Sequence, residues 1–243
     1  MIHSDSTYPL SSRSDPAAGD GGSLEGQLSA DIISGRLAPG ARLRMSAMME
    51  QYSVGMSPLR EALARLSGSG FVRLERNRGY SVAAISLEEL GDLANTRVRL
   101  ECMAFDLAVR QGDATWEAEV MAAHHRLCCH PRQPDQLIDE CWEALHREFH
   151  LTLIGACGSP TLIGFCRNLH DLFDRYRRIA VQTAGTHPEM GGDHRMIVDA
   201  ILSREAETAV GFLDRHIRDS QQEIRRLWRQ AESPPAVFDR PTP

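Results

Sequence analysis

Two histidines lie four residues apart in the stretch EALHREFHLTL, which covers residues 143–153. Residues four apart on a helix share one face, so His146 and His150 could bind a single ion or ligand together. Imidazole nitrogens favour zinc, nickel, cobalt or copper over magnesium or calcium. The pair is not the His-Glu-x-x-His motif of zinc proteases, because Arg147 follows the first histidine. Glu148 lies about 200° around the helix from His146, which is a poor position for a general base acting there.

The positive charge of the chain is concentrated near its N-terminus. All 27 basic residues are arginine, and the formal net charge of the whole chain is −6. Residues 23–84 carry eight arginines against five acidic residues, a net charge of +3, whereas residues 85–243 carry 18 against 25, a net charge of −7. A basic module joined to an acidic body favours DNA binding by the N-terminal part alone.

The rest of the composition predicts a cytoplasmic protein that does not enter a membrane. No apolar run reaches the roughly 18 residues that a membrane-spanning helix needs. Residues 1–22 lack the basic start and the apolar core of a secretion signal. None of the six cysteines forms a Cys-x-x-Cys pair, which is typical of reduced thiols in a cytosol.

Residues 23–84 show the pattern of a winged helix-turn-helix. Three helices are predicted, with Gly35 ending the first, a Pro-Gly turn before the second and Ser57 capping the third. Two short runs of β-forming residues then flank an Arg-Asn-Arg-Gly turn, which predicts a β-hairpin wing. The preceding residues, 1–22, are rich in Ser, Asp, Gly and Pro, and we expect a disordered leader there.

From residue 85 onwards the sequence is almost wholly helical. Amphipathic segments separated by Gly, Pro and Asp predict an all-α antiparallel bundle of six or more helices over residues 85–230. The segments lie near residues 86–111, 113–129, 135–156, 160–181, 189–203 and 205–230. The Pro-rich tail, residues 231–243, is expected to be loose. The predicted fold class is therefore mostly α, with a winged helix-turn-helix followed by a helical bundle.

The third helix is the expected DNA-reading element, since a helix-turn-helix places the N-terminal part of its second helix in the major groove. Arg60 is the best candidate for a guanine contact, because a guanidinium group matches the O6 and N7 acceptors of guanine. Any one such arginine can equally be a solvated surface residue, but their ordered distribution on the basic module favours DNA binding. The predicted DNA-contacting set is Arg42, Arg44, Ser57, Arg60, Arg65, Asn77, Arg78 and Gly79.

The segments IISGRLAPGARLR and SPLREALARLSGSGFVRLERNRGYSVA closely resemble the DNA-binding domain of the GntR family of bacterial repressors. The likeness includes the Pro-Gly turn, the Pro-x-Arg-Glu-Ala-Leu start of the recognition helix and the Arg-Gly-x-x-Val of the wing. Many members carry Ser-Arg-Thr-Pro before that helix, whereas this chain has Gly-Met-Ser-Pro, with Met56 in the place of the arginine. The resemblance implies a homodimer on double-stranded operator DNA, and Met56 implies a different operator preference or fewer base contacts.

The body resembles the FCD effector domain of the FadR branch of this family over residues 88–220. The marks are Arg97 and Glu101 in the first body helix, a Phe-His pair, and the segments ACGSP, DHRMIVDAIL and LDRHI. By this resemblance, the metal site falls on His146, His150, His194 and His216. Metal-binding members usually carry aspartate at the first of these positions. A divalent transition metal, zinc or nickel, is implied; direct binding of a carboxylate by metal-free histidines stays open.

Parts of the chain also resemble a carbon-starvation subgroup that includes glutarate-responsive repressors. The segments that carry this likeness are GMSPLREAL, GDATWEAEVMAAHHRL, LHREFHLTLIGACGSP and DRYRR. The resemblance implies a repressor that a small carboxylate effector, with glutarate as the first choice, releases from DNA. The predicted effector-binding residues are Arg97, Glu101, Arg175 and Tyr176, since arginine can bind a carboxylate through two parallel hydrogen bonds. For Arg175, Tyr176 and the adjacent Arg177, a solvated or dimer-facing position stays open.

Two other functions are compatible with the same residues. One is a helical metalloenzyme that acts on a small organic acid, and the other is a regulator of the same fold whose ligand promotes DNA binding. No Ser-His-Asp or Cys-His set stands out, so we expect no enzyme. The histidines outside the mapped set receive no ligand role: His124 and His125 are assigned to the surface, and His170 and His187 are left unassigned.

Overall fold

The computed structural model describes residues 22–76, 78–131, 136–185 and 192–230. The predicted leader, apart from Gly22, and the predicted loose tail lie outside the described residues, as do Asn77 and His187. Within the described ranges the chain is mostly helical, with one small sheet, and the predicted fold class is confirmed. No helix in these ranges is both long enough and apolar enough to cross a membrane.

The N-terminal domain is a winged helix-turn-helix with a three-stranded sheet. Its elements are α1 (Leu24–Ile33), β1 (Arg42–Leu43), α2 (Met45–Tyr52), α3 (Met56–Gly68), β2 (Val72–Glu75) and β3 (Gly79–Val82). The strands are antiparallel in the order β1-β3-β2. Strand β1 was not predicted, because two residues are too few to show the alternation of a strand. The core of this domain includes the fully buried Leu28, Ile32, Leu59 and Leu63.

The start of the recognition helix differs from the prediction. Helix α3 begins at Met56, and Gly55 is the N-cap residue without a side-chain hydrogen bond. Ser57 therefore lies inside the first turn, where its hydroxyl donates to Glu61 at 3.4 Å. The predicted Ser57 cap is wrong by two positions, and Pro58 occupies the first turn of the helix, where its missing N–H costs nothing.

The body consists of six helices in the described ranges. They are α4 (Leu87–Gln111), α5 (Ala114–Cys129), α6 (Glu140–Leu153), α7 (Pro160–Ala184), α8 (Gly192–Leu202) and α9 (Ala206–Gln230). Side-chain caps start four of them, at Ser86, Asp113, Asp139 and Ser159. The cap at Asp139 explains why α6 begins later than the predicted residue 135. Helices α4, α7 and α9 pack against one another, and α8 packs against α9.

Helix α7 joins the body to the N-terminal domain. Leu172 packs into the core of the N-terminal domain, and Gln182 Nε2 donates to the carbonyl of Ser34 at 2.9 Å. Gly35 has a φ of +80°, and a Cβ there would lie 3.2 Å from Gln182 Oε1. Only glycine suits both the left-handed backbone and the close approach of the turn to α7. The DNA-binding domain is thus docked directly on a helix that also reaches the centre of the body.

Candidate metal and effector site

Four histidines from three helices meet inside the body. They are the predicted set: His146 and His150 on α6, His194 on α8 and His216 on α9. One ring nitrogen of each lies within 4.8 Å of one nitrogen of every other, and all four side chains are buried. The Nε2 atoms of His146 and His150 are 3.2 Å apart. The structure therefore brings together all four histidines that the sequence singled out.

The packing around α6 holds its two histidines in place. Trp142 stacks on the ring of His146 with the centroids 4.8 Å apart and the planes 15° from parallel. Phe149 contacts the rings of His150 and His194 edge-on, at 5.5 and 5.0 Å between centroids. Buried aromatic packing of this kind restricts the side-chain rotamers, so the nitrogens are preorganised rather than free to disperse.

Burial favours the neutral form of the two imidazoles on α6. It lowers the pKa of His146 and of His150 well below the ordinary value near 6.5, and the neighbouring histidines lower it further. A neutral imidazole keeps the lone pair that a metal ion needs, whereas a protonated one does not. With histidine in the place of the usual aspartate, the four groups offer nitrogen alone, which favours zinc, nickel or copper over harder cations.

The donor spacing fits a single small ion. In a tetrahedral zinc site with Zn–N bonds of about 2.0–2.1 Å, two nitrogens lie about 3.3 Å apart. The His146–His150 separation of 3.2 Å matches that value, and the other separations stay below 4.8 Å. A cavity of about 20 Å³ borders His146, His150 and His216. That volume can hold one ion or one water molecule.

An arginine–histidine pair forms a second wall of the cavity. Arg97 donates two hydrogen bonds to Glu101, at 2.6 and 2.9 Å, and its Nη2 lies 3.1 Å from Nδ1 of His170. The guanidinium carbon of Arg97 lies 4.5 Å from the ring centre of Phe173. Arg97 and His170 line the cavity, whereas Glu101 is the counter-ion behind Arg97. The sequence alone assigns no role to His170.

A buried ion network also borders the cavity, through Asp174 and Arg177. Arg177 donates to both Glu143 and Asp174, and all three groups are largely shielded from solvent. Arg178 binds Asp174 at 3.0 Å and Glu140 at 2.9 Å. Burial raises the pKa of Glu143, although Arg177 acts in the opposite direction. This network ties α6 to α7 beside the histidines.

The expectation for Arg175 and Tyr176 is corrected by their positions. Arg175 donates to the carbonyl of Ala83, and the Tyr176 hydroxyl donates to Glu89 at 2.8 Å and accepts from the N–H of Ser86. Both side chains therefore serve the junction between the domains and do not line the cavity. Their neighbour Arg177 lines it instead, together with two residues of the same helix face. These are His170 and Asp174, at four-residue and three-residue steps.

Glu148 has no access to the histidine cluster. Its side chain is about half exposed and pairs with Arg126 of α5 at 2.6 Å. The structure thus supports the inference that this carboxylate faces away from His146. The surface position of His125 is also as expected, whereas His124 is half-buried against Phe149, with ring centroids 5.6 Å apart.

The predicted DNA-contacting residues lie on the surface of the N-terminal domain. Arg42, Arg44 and Arg60 are exposed, and none of them has a hydrogen bond or ion pair through its side chain in the described part of the chain. Ser57, Arg78 and Gly79 are exposed as well. Gly79 has a φ of +82°, which the turn of the wing requires and glycine permits.

Arg65 differs from the other predicted DNA contacts. It forms an ion pair with Glu25 of α1, although its side chain is 58% exposed. Within α3, Arg60 is thus the predicted contact without an ion pair in the described residues.

The two halves of the structure together define a class of protein. A winged helix-turn-helix with free arginines, which is a DNA-binding module, is joined to a helical domain that encloses a histidine cluster. The profile of the bacterial regulatory proteins of the gntR family matches residues 22–82, and that of the FCD domain matches residues 92–219. The chain belongs to the GntR family of DNA-binding transcriptional regulators, in the FadR-like branch with an FCD domain.

Relatives along most of the chain agree with this assignment. The chain is 36% identical over 205 residues to the uncharacterized HTH-type transcriptional regulator BphR of Paraburkholderia xenovorans, with 83% of each chain covered. It is 35% identical to the HTH-type transcriptional repressor GlaR of Escherichia coli, over 80% of this chain and 92% of that one. The solved structure of E. coli McbR/YncC has the same fold, with a TM-score of 0.65 at 22% identity, over 85% of this chain and 95% of that one.

These relatives are regulators and not enzymes, so the metalloenzyme alternative is not retained. FCD domains commonly bind a metal ion, which agrees with the chemistry of the four histidines.

Proposed function

We propose that the chain is a homodimeric repressor that a small carboxylate releases from its operator, with a glutarate-like dicarboxylate as the best candidate. The observation that carries this proposal is the meeting of four buried imidazoles with Arg97 and Arg177 around one cavity. A cluster of imidazole nitrogens suits a transition-metal ion, and guanidinium groups suit a carboxylate. The repressor activity is supported by the name of the relative GlaR.

The metal in this proposal is zinc or nickel, held by His146, His150, His194 and His216. When bound, it would offer a carboxylate oxygen a fifth coordination position beside the four imidazoles. The protein residues then account for affinity and selectivity. Arg97 and Arg177 border the same cavity and are positioned to attract a carboxylate, although each already has a carboxylate partner in Glu101 or Glu143.

The size of the cavity supports a conformational change on binding. Its volume of about 20 Å³ has room for an ion or one water molecule, and a five-carbon dicarboxylate needs several times that space. Room for the effector is gained if its carboxylate replaces Glu143 or Asp174 as the partner of Arg177. That exchange loosens the network that ties α6 to α7.

Helix α7 provides the route from the cavity to the DNA-binding domain. One face carries His170, Asp174 and Arg177, whereas Leu172 and Gln182 contact the winged domain. Displacement of α7 by the effector moves both winged domains of the dimer away from the spacing that the two half-sites of an operator require. By linkage, the effector weakens DNA binding by the same factor by which DNA weakens effector binding.

A thermal-shift screen of metal-loaded, tag-free protein tests the proposal. Acetate, succinate, glutarate and adipate are compared at equal ionic strength, and we expect glutarate to raise the unfolding temperature most. At a concentration of 100 times its Kd, a ligand adds about 2.7 kcal/mol to the stability of the folded state. The double variant His150→Ala, His216→Ala is the control and should lose the response. The proposal fails if none of the four carboxylates stabilises the wild-type protein.

A further inference from the structure

His170 lines the cavity next to the four-histidine cluster. It lies on α7, it is 4% exposed, and its ring centre is 5.2 Å from that of His150 and 6.1 Å from that of His146. It thus sits beside the four-histidine cluster without belonging to it, since the group of converging donor atoms contains only the other four. A fifth imidazole at this place could be a further metal ligand or a hydrogen-bonding group.

The contact with Arg97 decides between these two roles. Arg97 Nη2 lies 3.1 Å from Nδ1 of His170. A guanidinium group has only donors, so Nδ1 of His170 has to be the acceptor. A neutral imidazole carries one proton, which therefore sits on Nε2. As long as Nδ1 accepts from Arg97, a metal ion could bind Nε2 only if the ring lost its remaining proton, so this contact disfavours His170 as a metal ligand.

The Nε2–H of His170 is a buried hydrogen-bond donor. This atom is shielded from solvent and has no hydrogen-bond partner in the described part of the chain. A buried N–H without a partner is destabilising, so such groups are rare outside functional sites. The residue borders the same cavity as the metal-binding histidines. A ligand that brings an oxygen acceptor into this cavity satisfies the donor.

We propose that His170 is the effector-selecting donor of the cavity, and that its Nε2–H donates to a carboxylate oxygen of the effector while Arg97 fixes the tautomer. This inference rests on the proposed carboxylate-binding function and adds a residue and a direction of hydrogen bonding to it. A charge-assisted hydrogen bond of this type discriminates a carboxylate from an amide or an alcohol of the same shape. Arg97 then acts as a positioning residue through its contact with His170.

Two substitutions test the roles of the two ring nitrogens of His170 separately. In His170→Asn, the side-chain oxygen replaces Nδ1 as the acceptor for Arg97, and nothing replaces the Nε2 donor. In His170→Gln, an amide nitrogen reaches the place of Nε2, and the acceptor for Arg97 is lost. The affinity for zinc is measured without effector, and the affinity of zinc-loaded protein for glutarate is measured by calorimetry.

We expect His170→Asn to bind one zinc ion with wild-type affinity and to bind glutarate roughly 10-fold to 100-fold more weakly. His170→Gln should recover part of that loss. Unchanged glutarate affinity in His170→Asn overturns the inference while leaving the proposed function intact. Loss of zinc binding in that variant also overturns it, because His170 would then be a metal ligand.

A measurement on the wild-type protein keeps the inference testable if the variants do not fold. Two-bond proton–nitrogen NMR correlations of zinc-loaded protein report which ring nitrogen of each histidine carries the proton. We expect His170 to be protonated at Nε2 and to shift when glutarate is added. Protonation at Nδ1 contradicts the inference. If wild-type protein binds zinc but neither glutarate nor any other carboxylate of the screen, the proposed function and this inference both fail.

Discussion

The arginines of the two domains lie in opposite environments. Arg42, Arg44 and Arg60 of the winged domain are exposed and unpaired within the described residues, whereas Arg97 and Arg177 of the body are buried and held by carboxylates. The side chain is the same, but the first group is available to a polyanion and the second is already neutralised. The winged domain therefore offers free positive charge to DNA, whereas under the proposed function a ligand of the body has to displace the carboxylates that already pair with its arginines.

The difference in burial sets the energetic consequence of losing each arginine. Removal of an exposed, unpaired cation leaves no buried charge behind, whereas removal of a buried one leaves carboxylates in the interior with less compensating charge. Substitutions in the body should therefore act first on stability, and substitutions in the winged domain should act on DNA affinity alone.

The largest effect is expected for Arg177→Met. Loss of the guanidinium leaves Glu143 and Asp174 with Arg178 as their remaining shared cation, which should lower the free energy of unfolding by up to about 3–5 kcal/mol. Urea unfolding measures this change. Arg226→Ala is the control, because Arg226 forms a similar short-range pair with Glu223 on the surface and should leave the midpoint unchanged. If Arg177→Met and Arg226→Ala change the urea midpoint equally, burial does not determine the effect of losing an arginine.

The stability of the metal-free protein should fall as the pH is lowered below about 6.5. The folded-state pKa values of His146, His150 and His170 are lowered by burial, so the unfolded chain binds more protons in this range. The contribution of these histidines to stability is fully present above the unfolded-state pKa and is lost as the pH falls towards the folded-state pKa values. Each imidazole contributes up to about 1.4 kcal/mol per pH unit.

Urea titrations at pH 7.5, 6.5 and 5.5 measure this dependence. His150→Phe should flatten the curve, whereas replacement of the exposed His125 by Gln should not change it. A flat curve for the wild-type protein would show that the histidines of the cavity are accessible to protons in the folded state.

Arg60→Ala should weaken operator binding without destabilising the fold. A bidentate arginine–guanine contact discriminates against the wrong base by about 1–3 kcal/mol, so both affinity and sequence preference should decline. Arg44→Ala is the matched comparison. It should weaken binding to all sequences alike and reduce the slope of log affinity against log salt by about one. An Arg60→Ala protein with full sequence preference would falsify the assignment of α3 as the reading helix.

The smallest effect is expected at the domain junction. Gln182→Ala removes one hydrogen bond between α7 and the carbonyl of Ser34, which is worth about 0.5–1.5 kcal/mol. Zinc and glutarate affinities should stay at wild-type values, whereas the weakening of operator binding by glutarate should become smaller. If glutarate weakens operator binding by the same factor in Gln182→Ala as in the wild-type protein, the effector does not act on the DNA-binding domain through this contact of α7.

Local chemistry made much of the fold predictable from the sequence. Ser86 caps α4 through the N–H of Glu89, as its Ser-x-x-Glu spacing indicates. The pairing of His146 with His150 follows from helical periodicity. Their meeting with His194 and His216, by contrast, came from the resemblance to a known family, because no local rule specifies which helices converge.

Helix α7 shows where sequence reasoning fails. It is covered on two sides, by the winged domain and by the body, so its apolar periodicity does not mark a single buried face. The carboxylate-binding chemistry of arginine predicts Arg175 and Tyr176 as effector-binding residues, with a solvated or dimer-facing position left open, whereas they bind Ala83 and Glu89 at the domain junction. The regular spacing of His170, Asp174 and Arg177 is visible in the sequence, but only packing reveals that this face borders the histidines.

The most direct test is the operator affinity of zinc-loaded protein with and without saturating glutarate. Fluorescence anisotropy is used with a DNA fragment that the protein itself has selected from random sequences. We predict that glutarate weakens binding by at least 5-fold and that the His150→Ala, His216→Ala variant does not respond. The same operator affinity with and without glutarate, under conditions where glutarate stabilises the protein against heat, would contradict coupling between the cavity and DNA.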